Sequence, residues 1–340
     1  MLCSACERAK RLRFSTDLPA PSPLHHFTVA ALRASGATIT LGSMAQVGTL
    51  DFQEFIHGRK EERAGDVTGS GHDYSYVVDK NTRIAFEKAK PVELAVTGAV
   101  RLFKALGKNQ LLGNAVRVGP NQFPRIHKLT VRCAETLQIA LPTLYITNSP
   151  VMNAMTFGTN DDSFIVVHSA LVDHFSDEEL LSVIGHEAGH IHNSHVVYLT
   201  ALFYLKHAAS IFLKQLAPAA ELSLAGWKRR AEITCDRAGL LCSKDLTVSK
   251  RALAKLALGS TKLYEEFNME AFECQSEETR DGFGKFAEIT ASHPWLSKRM
   301  AALTAFSESE LYRKHAGIGP GGLSMHEVDD RVHGIIKVVG

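Results

Sequence analysis

No stretch of this sequence is apolar for long enough to read as a membrane span. The best candidate, 196–216, is uncharged only over 196–205 and is then interrupted by Lys206, His207 and Lys214. A spanning helix needs about 20 mostly apolar residues, so a buried or surface-lying helix is the reading here. Charge of one sign is also lacking. The 38 Lys and Arg against 36 Asp and Glu leave a net charge of +2, which supplies no field pointing to nucleic acid. Cysteine is sparse: Cys3, Cys6, Cys133, Cys235, Cys242 and Cys274 are too scattered for a disulfide framework. The first residues carry basic side chains with no apolar run behind them, unlike a secretory signal. These absences lead to the expectation of a cytoplasmic protein with free thiols, no integral span and contact with membranes only at the periphery.

What is present suits a globular protein. Over 340 residues, 45% hydrophobic and 22% charged content is ordinary, and the length can bury the cores of one or two domains. Residues 1–80 read as a loosely ordered segment, because Pro19, Pro21 and Pro23 break any element and Thr68-Gly69-Ser70-Gly71-His72 reads as a loop. Cys3 and Cys6 with His25 and His26 make too weak a pattern for a zinc site beside that proline-rich stretch. Met44 offers an alternative start. The expected folded domain is 81–310, followed by a tail over 311–340.

Within that domain the pattern is helical over 82–106, with a break at Pro91, and again over 125–139, where Ile126, Leu129, Cys133 and Leu137 recur near helical spacing. The period then changes. Short strands are expected at 143–147, 154–157 and 164–168, separated by turn residues at Asn148-Ser149-Pro150 and at 158–162. Ser176-Asp177-Glu178-Glu179 is a capping box, and its acids suit the positive end of a helix. That helix should run through His190. Further helices are expected at 227–242, 248–267 and 294–306, with a glycine-rich tail after Gly317.

His186-Glu187-Ala188-Gly189-His190 is an HExxH motif inside the capped helix. Residues four apart lie one above the other, so two imidazoles can grip one Zn2+. Glu187, about 100° round the helix, can reach a zinc-bound water. Gly189 costs about 1 kcal/mol against alanine in a helix, which suggests that something approaches the backbone closely there. At 100° per residue from His186, His190 falls near 40°, His195 near 180° and His192 near 240°. His192 and His195 are accordingly read as surface non-ligands. A catalytic zinc takes three protein ligands and leaves one place for water. Glu232 is the candidate third ligand, and Asp236, one turn on, can accept a hydrogen bond from a ligand histidine and so orient it. Without the HExxH the same two acids would read as an exposed charged helix face.

Four segments in order are similar to the HtpX-like and CaaX-endoprotease-like zinc metallopeptidases, which are gluzincins: Asn153-Ala154-Met155-Thr156-Phe157-Gly158, the HExxH helix, the Glu232/Asp236 helix, and Ser292-His293-Pro294 with Arg299 downstream. The resemblance covers roughly 91–306. It implies an α+β, mainly helical zincin-like fold with a small sheet, antiparallel or mixed, beside the HExxH helix. It implies one zinc per chain, held by His186, His190 and Glu232, with Glu187 as general base and His293 steadying the oxyanion. Asp236 and Arg299 would support the ligands, and Asn153 would bind the substrate backbone. Read alone, His293-Pro294 is a helix start and Arg299 a solvated charge. The chain departs from the membrane-bound members, which carry clear spans, so a prenylated substrate is not carried over. The expected function is a zinc metalloendopeptidase acting on a peptide or protein. The alternatives are a catalytically silent, chaperone-like or peptide-binding protein on the same fold, and an aminopeptidase, which would need an acidic anchor for a free amine.

Overall fold

The structure, a computed structural model, describes residues 73–89, 112–159, 162–207, 211–272 and 295–336, together with isolated helical positions between 92 and 109; the side chains of 204–221 are outside the description. The Cys3/Cys6/His25/His26 pattern, Met44, Cys274 and His293 all lie outside the described residues.

The sheet has four strands: β1 (Ala115–Arg117), β2 (Thr143–Thr147), β3 (Ala154–Gly158) and β4 (Ser163–His168), in the order β1-β2-β4-β3. β2 runs parallel to β4, and the two outer pairings are antiparallel, which makes the sheet mixed. β4 is apolar along its centre because it is paired on both sides and buried on both faces. β3 closes one edge. β1, only three residues long, carries too short a pattern to be read from sequence.

Among the described residues the helices with defined bounds are, in chain order, α1 (Val77–Phe86), α2 (Pro124–Leu137), α3 (Ser169–His174), α4 (Asp177–His192), α5 (Val196–His207), α6 (Ile211–Ser243), α7 (Leu246–Leu258), α8 (Thr261–Glu265), α9 (Leu296–Ser307), α10 (Glu310–Ala316) and α11 (Met325–Ile336). The core forms where α4 packs between α2, the sheet and the long α6. The capping box on α4 is present as expected: the Glu179 N–H donates to Ser176 Oγ at 3.3 Å, and the Ser176 N–H to Glu179 Oε2 at 2.8 Å. Glycine lets α4 and α6 approach closely. A Cβ on Gly189 would stand 2.7 Å from Ala238 Cβ and 3.3 Å from Cys235 Cα, and one on Gly239 would stand 2.6 Å from the Ser182 carbonyl oxygen.

Several boundaries differ from expectation. The helix expected from 82 starts at Val77 and ends at Phe86, and helical positions resume at Val92, beyond the expected break at Pro91. The helix expected over 248–267 is two, because Gly259 adopts φ 63° and ends α7. The helix expected from 227 begins at Ile211. The core does not end at 81 and 310. Tyr74 and Tyr76 are buried in it, as are Tyr312, Val328 and Val332 of α10 and α11. The buried Arg237 of α6 ties both ends in, donating to the Tyr74 carbonyl at 3.1 Å and to Asp329 Oδ1 of α11 at 2.7 Å. These links join residues more than 90 positions apart, beyond the reach of a local pattern.

Candidate metal centre

α4 and α6 cross with the HExxH face of one against the Glu232/Asp236 face of the other. His186 Nε2 lies 3.5 Å from Glu232 Oε2, and His190 Nε2 lies 3.9 Å from Glu232 Oε1. Ligand atoms of the three residues fall within 4.8 Å of one another. Tetrahedral zinc with bonds of about 2.1 Å needs ligand atoms about 3.4 Å apart, so two imidazoles and a carboxylate at this spacing fit zinc in donor type and distance. His186 and Glu232 line a cavity of about 450 Å³ together with Glu187, Asn153, Trp295 and Arg299, and His190 is buried behind them.

His186 is backed by charge. Its Nδ1 lies 3.0 Å from Asp236 Oδ1, and Asp236 is gripped by Arg299 through Nε at 2.8 Å and Nη2 at 2.6 Å. The same guanidinium reaches Glu232 Oε2 at 3.5 Å. Burial opposes a charged His186, yet hydrogen bonds to Asp236 and Glu232 outweigh it and raise its pKa to about 10. Burial would raise the Asp236 pKa, but Arg299 overrides that and holds it down. Arg299 is therefore no solvated charge; it is pinned across two acids.

Glu187 is buried and accepts from Thr156 Oγ1 of β3 at 2.6 Å on Oε2. Thr156 Oγ1 is also 3.1 Å from the Glu187 carbonyl oxygen; its single proton favours the nearer, charged acceptor. Burial pushes the Glu187 pKa up, with the neighbouring His186 and Thr156 pulling against it. Asn153, just ahead of β3, lines the cavity and gives its carbonyl to the His168 N–H at 3.0 Å. Thr156 was missed in the sequence because a threonine in a strand carries no signal of its own. Only the packing of β3 on α4 gives it a partner.

His195 corrects the surface assignment. It is 1% exposed, with Nδ1 3.1 Å from His190 Nδ1. The helical angle failed because α4 ends at His192; Ser194 takes φ 58°, and the His195 N–H returns to the His190 carbonyl at 2.9 Å, folding the ring back beside His190. His192 is not a plain surface residue either, since its Nδ1 is 2.8 Å from the Tyr74 hydroxyl.

The match to known proteins agrees with this geometry. Residues 120–307 match the description "Peptidase family M48". The chain belongs to peptidase family M48. Among its relatives is "Plastoglobule-localized metallopeptidase 48, chloroplastic" of Arabidopsis thaliana, 39% identical over 165 residues, or 47% of this chain and 48% of the relative. A "Protease HtpX homolog" of Tropheryma whipplei (strain Twist) is 25% identical over 223 residues, 57% of this chain and 76% of the relative. "Protease HtpX" of Photorhabdus laumondii is 29% identical over 207 residues, 51% of this chain and 70% of the relative. The chain spans about half the length of the plant relative it matches and 26% of a Halobacterium salinarum "Protease HtpX homolog". No solved structure matches. The fold is the mainly helical α+β arrangement expected, with its mixed sheet beside the HExxH helix.

Proposed function

We propose that this chain is a zinc-dependent metalloendopeptidase in which His186, His190 and Glu232 hold one Zn2+ and Glu187 is the general base. The convergence of those three ligand atoms, with His186, Glu232 and Glu187 facing one cavity, carries the reading. Zinc bound there supplies a Lewis acid that polarises a scissile carbonyl and makes water acidic enough to attack near neutral pH. Thr156 occupies Oε2 of Glu187, leaving Oε1 to take the proton from the attacking water and later to deliver it to the leaving amine. The cavity beside Asn153 and the β3 edge suits a peptide laid alongside the strand, its main chain hydrogen-bonded there. His293 is the proposed donor to the developing oxyanion, a role worth about 2.7–4 kcal/mol for such donors elsewhere. Arg299 holds Asp236 and Glu232 in place.

No described helix is long and apolar enough to cross a membrane. The plant relative's name includes "plastoglobule-localized", and this supports peripheral contact with a lipid surface for the present chain as well.

The test compares wild type with Glu187→Ala on internally quenched peptides with blocked and free N-termini, with zinc measured in both proteins. Hydrolysis of the blocked peptide by wild type, abolished in a variant that keeps its zinc, is the expected result. Turnover by zinc-loaded Glu187→Ala would exclude the general base, and cleavage of free N-termini alone would favour an aminopeptidase. A zinc-loaded wild type that binds peptides without cleaving them would favour the silent, peptide-binding alternative.

A further inference from the structure

The Nδ1 of a histidine that offers Nε2 to a metal must carry the ring proton, and so must face an acceptor. For His190 the neighbours of Nδ1 are His195 Nδ1 at 3.1 Å and the Cys235 Sγ at 3.1 Å. A thiol is a weak acceptor, so the imidazole is the stronger partner. If His195 accepts at Nδ1, its own proton sits on Nε2, which lies 3.1 Å from Asp79 Oδ2 of α1. Asp79 is an acceptor-only group when ionised. It also receives Trp227 Nε1 on Oδ1 at 2.7 Å and Thr234 Oγ1 on Oδ2 at 2.7 Å. Thr234 in turn accepts the Tyr76 N–H at 3.1 Å, which leaves its hydroxyl proton for Asp79. Every donor in this chain then meets an acceptor. The reverse assignment would set a lone pair of His195 Nε2 against the lone pairs of Asp79.

We propose that Asp79 and His195 are positioning residues that fix the tautomer of His190, so that its Nε2 lone pair is held ready for the metal. The inference rests on the reading of His190 as a ligand. Water cannot substitute in the chain, because Asp79 and His195 are 1% exposed and Thr234, Trp227 and Cys235 0%. The close grouping of His190, His195 and Cys235 is a hydrogen-bonded support and not a second metal site, since a metal on His190 Nδ1 as well as Nε2 would need the ring to lose both protons. Asp79 precedes the residues matched to the M48 family, so this support comes from a helix outside the matched part.

Asp79→Asn tests it with almost no change in shape. Trp227 Nε1–H can only donate, so it keeps the amide oxygen on its side and turns the NH2 toward His195 Nε2. His195 must then place its proton on Nδ1, His190 must accept there, and the His190 proton moves to Nε2, where the metal should bind. The expected result is zinc binding weakened about 10–100-fold, read by competition with a chromophoric chelator. The double variant Asp79→Asn/Trp227→Phe frees the amide to turn its oxygen toward His195, and most of the lost affinity should return. In zinc-loaded wild type, 15N spectra of labelled histidines should show protons on His190 Nδ1 and His195 Nε2. Wild-type zinc affinity in Asp79→Asn, no recovery in the double variant, or a proton on His195 Nδ1 in the wild type would each overturn the proposal. Failure of the ligand reading itself shows separately, as full zinc occupancy in His190→Ala.

Discussion

His186 turns its Nδ1 to a carboxylate; His190, one turn later on α4, turns its Nδ1 to another imidazole. The first is backed by an ion pair from the same α6 that carries Glu232, locked by Arg299 of α9. The second is backed by another imidazole, with the carboxylate of Asp79 one step further away on α1. The difference is one of charge. A carboxylate in contact draws His186 toward the protonated form, whereas burial and the nearby His186 charge keep the His190 pKa well below the usual histidine range. Two histidines one turn apart on one helix thus sit in different surroundings.

At the ligands themselves the two sides should be equal. His186→Ala and His190→Ala are each predicted to abolish zinc occupancy, because each leaves two protein ligands where three are needed. Metal analysis of the purified variants checks this, and retention of zinc by one of them would remove that residue from the set.

One layer out, the sides should separate. Asp236→Ala leaves the half-buried Arg299 without its main partner, a loss approaching about 3 kcal/mol in stability. His195→Ala removes an imidazole but leaves Asp79 its donors Trp227 and Thr234, and should cost about 1–3 kcal/mol, the range for leaving buried polar groups unsatisfied. Urea unfolding of the two variants measures the gap. Equal losses, or a larger loss for His195→Ala, would contradict the contrast between a carboxylate in direct contact and one a step further away.

Thr156→Val sharpens the comparison from the side of the base. It removes one orienting hydrogen bond from Glu187 and touches neither histidine. Turnover should fall about tenfold, equivalent to roughly 1.4 kcal/mol, with zinc content unchanged. A variant that loses zinc instead would place Thr156 in the support of the ligands.

The smallest effects concern the α4–α6 contact that brings both sides together. Gly189→Ala would drive a methyl against Ala238, costing about 1–3 kcal/mol in overpacking against about 1 kcal/mol gained in helix propensity. Gly226→Ala on α6 meets only Arg229 Nη2 at 3.8 Å and should be neutral or stabilising by about 1 kcal/mol. Thermal melts of the pair check the direction: Gly189→Ala should melt below Gly226→Ala.

What could be read without the fold was whatever a single helix or strand sets by its own repeat. The capping box on α4, the pairing of His186 with His190, and the turn that separates Glu232 from Asp236 follow from 3.6 residues per turn, and all are present. Gly189 signalled a close approach, and the approaching backbone is α6 at Cys235. His195 was misjudged because the helical repeat was extended past the end of the helix, where Ser194 reverses the chain. Thr156 and Asp79 were invisible because their partners are 31 and 116 or more residues away, brought near only when β3 and α1 pack on α4 and α6. The sequence by itself determined which side chains can share a helix face, since covalent geometry and backbone hydrogen bonds set that spacing. Only the tertiary structure decided which faces meet and which atom of each ring is free, because those depend on burial and on hydrogen-bond partners drawn from distant parts of the chain.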